Sequence, residues 1–149
     1  QCDNCDLQFH CLAFKEKTQH LLPIKAKKIK IQARTLHYWI FTYHDKICLN
    51  KRTKGDIWEG LWDFYSTSTD LLNVVSLDQN YIKKASYGPL NHKLTHQKIE
   101  AWFTQIEISN TSQLNEIAKI LNLTIFNLDE LVTLPKPKLI VNYLSQVKF

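Results

Sequence analysis

Apolar and aromatic positions fall in short blocks along the chain, and the period changes from block to block. Residues 36–43, "LHYWIFTY", are apolar or aromatic on both alternating faces, the pattern of a strand covered on both sides. With "KICLN" they predict two strands joined at "HDK". "TKGDIWEG" reads as a loop and "LWDFY" as a short strand. From Ser66 to Ser86 the chain is expected to be mainly helical, introduced by the stacked capping candidates Ser68, Thr69 and Asp70. Gly88-Pro89 then resets the chain. Ile99, Ala101 and Phe103 alternate, which predicts a strand from about Lys98 to Ile108. Leu114, Ile117, Ala118 and Leu121 lie at helical spacing, with Thr111 or Ser112 as the cap. "TIFNLDEL" predicts a short strand running into a turn. Ile140, Tyr143, Leu144 and Val147 share one face of a closing helix, with Pro137 where a first-turn proline is tolerated. Strands and helices are interspersed without a repeat, so the expected fold is α+β, a mixed sheet covered by helices.

Composition adds to this picture in two places. The 149 residues are 44% hydrophobic and 11% aromatic, enough to fill the core of one domain, and they include no Met. A chain without Met is expected to be a piece of something longer. No apolar run approaches the ~20 residues of a membrane span, and no basic-then-apolar leader is visible. A soluble domain is therefore expected.

Charge is distributed unevenly. Between residues 15 and 34 lie seven basic residues (Lys15, Lys17, Lys25, Lys27, Lys28, Lys30 and Arg34) and one acid, Glu16. The rest of the chain holds 12 basic and 13 acidic residues, so the whole net charge of +5 comes from one stretch. That stretch lacks a sustained period and reads as a connector. It is either a solvated charge run or a segment that follows phosphates, each neutralised phosphate adding about one to the salt dependence. Lys25, Lys27, Lys28 and Lys30 are the candidate phosphate contacts.

Three of the four cysteines crowd into the first eleven residues with the spacing C-x2-C-x5-C, as Cys2, Cys5 and Cys11. That crowding suits a metal cluster in a reducing compartment better than a disulfide framework. Iron–sulfur and zinc chemistry both remain open for such a spacing. Cys48, far away in an apolar stretch, reads as a small buried hydrophobe. Trp39, Trp58, Trp62 and Trp102 lie in or beside predicted strands, where core packing is expected.

Several of these stretches, in order, resemble the C-terminal part of MutY-type adenine DNA glycosylases over nearly the whole chain. "CDNCDLQFHC" is similar to the last three ligands of that family's C-x6-C-x2-C-x5-C loop, which holds a 4Fe–4S cluster. "LLPIKAKKIK" looks like its interdomain connector. "KRTKGDIWEGLWDFY" resembles its Arg-led segment, through Arg52, Ile57, Trp58, Gly60, Leu61, Trp62 and Phe64, with Tyr65 in place of the usual proline. Leu94, Thr95 and His96 stand where the family carries Phe-Ser-His, and "LPKPKLIVNYL" is similar to its closing segment.

The resemblance implies residues 1–14 as the remnant of a cluster loop, 15–34 as the connector and 35–149 as a Nudix-like domain, an α/β/α sandwich. It implies Cys2, Cys5 and Cys11 as 4Fe–4S ligands in the intact protein, incomplete here, so that no cofactor is expected on this piece. It further implies base excision repair in a bacterial cytoplasm, at the nucleoid. Partners would be duplex DNA carrying 8-oxoguanine opposite adenine and the protein's own catalytic half, without a membrane, and as a monomer. The turn at Leu94, Thr95 and His96 would contact the lesion. Thr95 keeps the hydroxyl of the family's Ser, an acceptor for the N7 hydrogen that oxidised guanine gains. Leu94 replaces an aromatic with a smaller apolar contact.

Nudix hydrolases also need a helix with clustered Glu for magnesium. Residues 60–84 contain neither Arg nor Glu, and Asp63, Asp70 and Asp78 are spread apart. The expectation is a recognition module, non-catalytic on its own because the glycosylase carboxylates lie upstream. Two alternatives stay open: an active Nudix-type nucleotide hydrolase, and a protein-interaction module whose connector docks other repair proteins.

Overall fold

The computed structural model describes residues 2–24, 31–67 and 82–147. The chain divides into two compact units, Gln1–Lys30 and Ile31–Phe149. The first is a series of short turns: 3₁₀ turns at Cys2–Asn4, Gln8–His10 and Gln19–Leu21, and one helical turn, α1, at Leu12–Lys15. None of these elements buries a residue. Leu7, Phe9, Leu12 and Ile24 are all exposed.

The second unit is built on a mixed sheet of β1 (Gln32–Tyr43), β2 (Lys46–Lys51), β3 (Trp62–Asp63), β4 (Tyr65–Ser66), β5 (Ile82–Lys93), β6 (Gln97–Glu107) and β7 (Thr124–Asn127). The main path runs β3-β2-β1-β6-β5, with β4 beside β1 and β7 beside β2. β1 and β6 are parallel from Gln32↔Gln97 to Thr42↔Glu107, and the other pairings are antiparallel. Two longer helices complete the unit, α2 (Thr111–Ile120) and α3 (Lys138–Leu144).

Alternation along the strands fixes the layers. Leu36, Tyr38 and Ile40 of β1 share a face with Ile99, Ala101 and Phe103 of β6, and α3 covers it with Leu139, Ile140 and Tyr143. Phe41, Cys48, Ile106 and Ile108 point the other way and meet Leu114, Ile117 and Ala118 of α2. The expected sheet between helices is therefore borne out, as is the buried Cys48, whose thiol burial pushes up to about 12. On the α3 face Phe103 stacks between Tyr143 (ring centroids 4.0 Å apart) and Tyr38 (5.0 Å), with Phe64 edge-on to all three rings.

Four expectations need correction. The helix expected over 66–86 lies largely outside the described residues, but residues 82–86 belong to β5. Gly88-Pro89 does not reset the chain either: β5 continues through it with a register shift between Tyr87 and Leu90. As the last strand on the main path, β5 tolerates a proline and a bulge, and pairing with β6 overrides the local breakers. The cap of α2 is Asn110, whose side chain accepts from Gln113 N at 2.8 Å. Trp58 is buried, but Trp102 is 38% exposed, because alternation with Ala101 and Phe103 turns it away from the core.

Gly88 is a position where only glycine fits. Its φ is +137°, and a Cβ there would sit 2.9 Å from the carbonyl oxygen of Ala101 and 3.2 Å from the Trp102 ring. Gly88→Ala is expected to cost about 1–3 kcal/mol, read as a lowered urea midpoint at unchanged m-value.

Candidate functional site

The hairpin between β5 and β6 turns through Leu94, Thr95 and His96. Leu94 N donates to Gln97 O at 2.8 Å to close the turn, and Gln32 N, at the start of β1, donates to His96 O at 3.0 Å. The turn is thus pinned to the strand into which the basic connector leads. Leu94 is half-buried and packs on the α3-side core, whereas Thr95 and His96 are exposed. The three residues divide the work: one anchors, two project.

Next to this end of the sheet, the segment after β2 folds around Arg52. Its backbone N–H donates to Leu61 O (2.9 Å) and its carbonyl accepts from Gly60 N (3.0 Å), which closes the 53–60 loop. Its guanidinium reaches four side chains: Nε to Asp63 Oδ2 at 2.6 Å, Nη1 to Asp56 Oδ2 at 2.9 Å, and Nη2 to Ser66 Oγ at 3.2 Å and Tyr38 OH at 3.3 Å. It also lies 5.9 Å from the Trp58 ring centroid, and the His92 ring of β5 stands 6.2 Å from the same Trp58. The Arg-led loop and the hairpin therefore meet through Trp58 and His92.

Asp63 is fully buried. Desolvation pushes its carboxyl up to about 6 against the pull of Arg52 and Asn50, so burial outweighs the ion pair. Its oxygens are engaged by Arg52, by Asn50 Nδ2 at 3.4 Å and by Tyr38 OH at 3.4 Å. Asp56 takes a second, longer contact from Arg34 at 3.7 Å. These carboxylates are committed to internal structure.

The remaining candidates fall elsewhere. Lys25, Lys27, Lys28 and Lys30 lie outside the described residues. Cys2, Cys5 and Cys11 are exposed free thiols in the first unit. Among the described residues no three His, Cys, Asp or Glu side chains gather to hold a metal ion. A 4Fe–4S cluster takes four thiolates, one more than these three. Among the described residues no helix is long and apolar enough to cross a membrane. The Arg52 hub escaped sequence reasoning because its partner Asp63 lies eleven residues on and is brought back only by the sheet. The signal was Arg52 at the head of the quoted segment.

A family model described as a NUDIX domain matches residues 37–146, most of the chain, and the chain belongs to that family. An adenine DNA glycosylase of Buchnera aphidicola subsp. Schizaphis graminum (strain Sg) is 27% identical to it over 103 residues, 69% of this chain and 27% of that protein. The aligned part thus spans about a quarter of the relative's length. Together the two findings bear out the resemblance to the C-terminal part of MutY-type adenine glycosylases.

Proposed function

We propose that this chain is the lesion-recognition domain of an adenine DNA glycosylase, reading 8-oxoguanine opposite adenine in duplex DNA and doing no chemistry alone. The observation that carries this is the hairpin turn. Thr95 and His96 face solvent, Leu94 anchors them to the core, and a backbone hydrogen bond ties them to the strand that follows the basic connector. The glycosylase relative supplies the biological setting, since that protein is named for removing adenine from DNA.

The chemistry at the turn discriminates between two purines. Ordinary guanine presents an acceptor at N7, whereas its 8-oxo form presents an N–H donor there. The Thr95 hydroxyl oxygen accepts from that N–H, and His96 donates to a base carbonyl or a phosphate. In the longer protein, Cys2, Cys5 and Cys11 serve as three of the four cluster thiolates, and Lys25, Lys27, Lys28 and Lys30 follow the backbone.

Against nucleotide hydrolysis stands the absence of Glu from residues 60–84 together with the commitment of Asp63 to Arg52. Pyrophosphate release from 8-oxo-dGTP with magnesium would decide for the hydrolase. Retention of other repair proteins only when residues 15–34 are present would decide for the interaction module.

Thr95→Val removes the hydroxyl at nearly constant shape. The expected result is a loss of about 0.5–1.5 kcal/mol of preference for an 8-oxoguanine:adenine duplex over a guanine:adenine one, measured by fluorescence anisotropy at low salt. A loss below ~0.5 kcal/mol overturns the contact.

A further inference from the structure

Lys93 ends β5, Lys98 lies near the start of β6, and the register places them directly opposite one another at the base of the 94–96 turn. Both are exposed. Like charges facing each other across an antiparallel pair weaken it. Among the described residues neither lysine has an ion-pair partner to offset this. Among the described residues the acid on this face of β6 is Glu100, and its carboxylate accepts from Trp102 Nε1 at 3.2 Å. A hairpin that needed only to close would not gain from two lysines here. An anion seated between them would turn the repulsion into a shared attraction.

The face on which they stand follows from the alternation of β6. Ile99, next to Lys98, points into the α3-side core, so Lys98 and its partner Lys93 point to the opposite side of the sheet. Ala33 of β1 pairs with Lys98 there and is also exposed, leaving the approach open. Thr95 and His96 lie between the two lysines in the chain, at the tip of the same hairpin. A rigid strand pair therefore carries both the polar tip and two cations within a few ångströms of strand spacing, about 4.5–5.5 Å between facing Cβ atoms.

We propose that Lys93 and Lys98 form a two-cation clamp for the DNA phosphodiester backbone beside the base that the turn reads. The clamp rests on the recognition function proposed above and deepens it: the lysines set affinity and orientation, and Thr95 and His96 set base preference. Phosphate contacts position a protein on the duplex without reading sequence. The clamp is independent of the connector lysines, because it is built on paired strands.

The test compares the full 149-residue chain with its Lys93→Gln/Lys98→Gln and Lys93→Glu forms, titrated against 8-oxoguanine:adenine and guanine:adenine duplexes over a series of salt concentrations. The double substitution is expected to weaken binding to both duplexes by the same factor and to make the slope of log K against log salt shallower by about 2, roughly 0.9 per phosphate. Lys93→Glu places an acid opposite Lys98. It is expected to raise the Tm by about 2–4 °C while lowering affinity for both duplexes, a combination that a purely structural lysine does not produce.

The outcomes separate the two proposals. Base preference with an unchanged salt slope overturns the clamp and leaves lesion recognition standing. A shallower slope without base preference supports the clamp as a general phosphate site and removes lesion recognition. No binding to either duplex at low salt removes both.

Discussion

Replacing Arg52 with alanine is expected to destabilise the domain by about 3–5 kcal/mol, the cost of leaving a buried charge without its partner. Asp63 has no solvent exposure, and the side chain of Arg52 is only 9% exposed. Arg52 makes the shortest contact in the network, 2.6 Å to Asp63, and at the same time holds Asp56, Ser66 and Tyr38. Without it the Asp63 carboxyl loses the neighbour that holds it down. Its protonation midpoint then rises further above about 6, and the neutral acid becomes the species buried beside Tyr38 and Asn50. Lysine is not expected to rescue, since one ammonium cannot span four acceptors in a planar fork. Unfolding in urea measures the loss. The cycle of Arg52→Ala, Asp63→Asn and the double form is expected to show strong coupling, the double costing less than the sum of the singles. Additive effects below ~1 kcal/mol each would mean that the two groups do not meet in solution.

The same network explains why the quoted segment from Arg52 to Phe64 could be read in part from sequence. Its residue types marked a special loop, and Trp58 was legible as core. The meaning of Arg52 was not, because its contacts to Asp63, Ser66 and Tyr38 depend on β3, β4 and β1 coming together beside β2. β1 and β2 were visible because their apolar residues run on both faces, and β6 because Ile99, Ala101 and Phe103 alternate. β5 was hidden for the opposite reason. Its residues include Lys83, Lys84, Gly88, Pro89, Asn91 and Lys93, which locally favour turns or solvent, and only pairing with β6 makes it a strand. The cap of α2 was expected at Thr111 or Ser112, because each can accept a hydrogen bond, and Asn110 just before them was passed over. Asn110 takes the role because its backbone is extended, at φ −156° and ψ 160°. Of the candidate site, the turn at Leu94–His96 was legible through the family resemblance, whereas the Lys93–Lys98 pairing required the register of β5. Exposure of Trp102 was within reach of the alternation itself, which had already placed Ala101 and Phe103 inward.

Phe103→Ala is expected to remove about 3–5 kcal/mol, comparable to the loss of Arg52 but by a different route. The ring is buried between Tyr143 and Tyr38 and meets Phe64 edge-on at 6.4 Å, so its removal leaves a cavity walled by aromatic rings that cannot collapse around it. Tyr143 is further held by its hydroxyl, which accepts from Gln105 Nε2 at 3.0 Å, and this tether resists relaxation into the gap. Unlike the Arg52 change, this one leaves no unpaired charge, so the loss is expected to be nearly independent of pH and salt. The hairpin turn lies just before β6, whose first residue is Gln97, and its closing hydrogen bonds come from Leu94 and Gln32 rather than from the stack. Well below the lowered Tm, Phe103→Ala protein is therefore expected to retain its preference between 8-oxoguanine and guanine duplexes while its urea midpoint falls. A large loss of preference under those conditions would tie recognition to the core stack, and the division between a supporting sheet and an exposed reading turn would have to be abandoned.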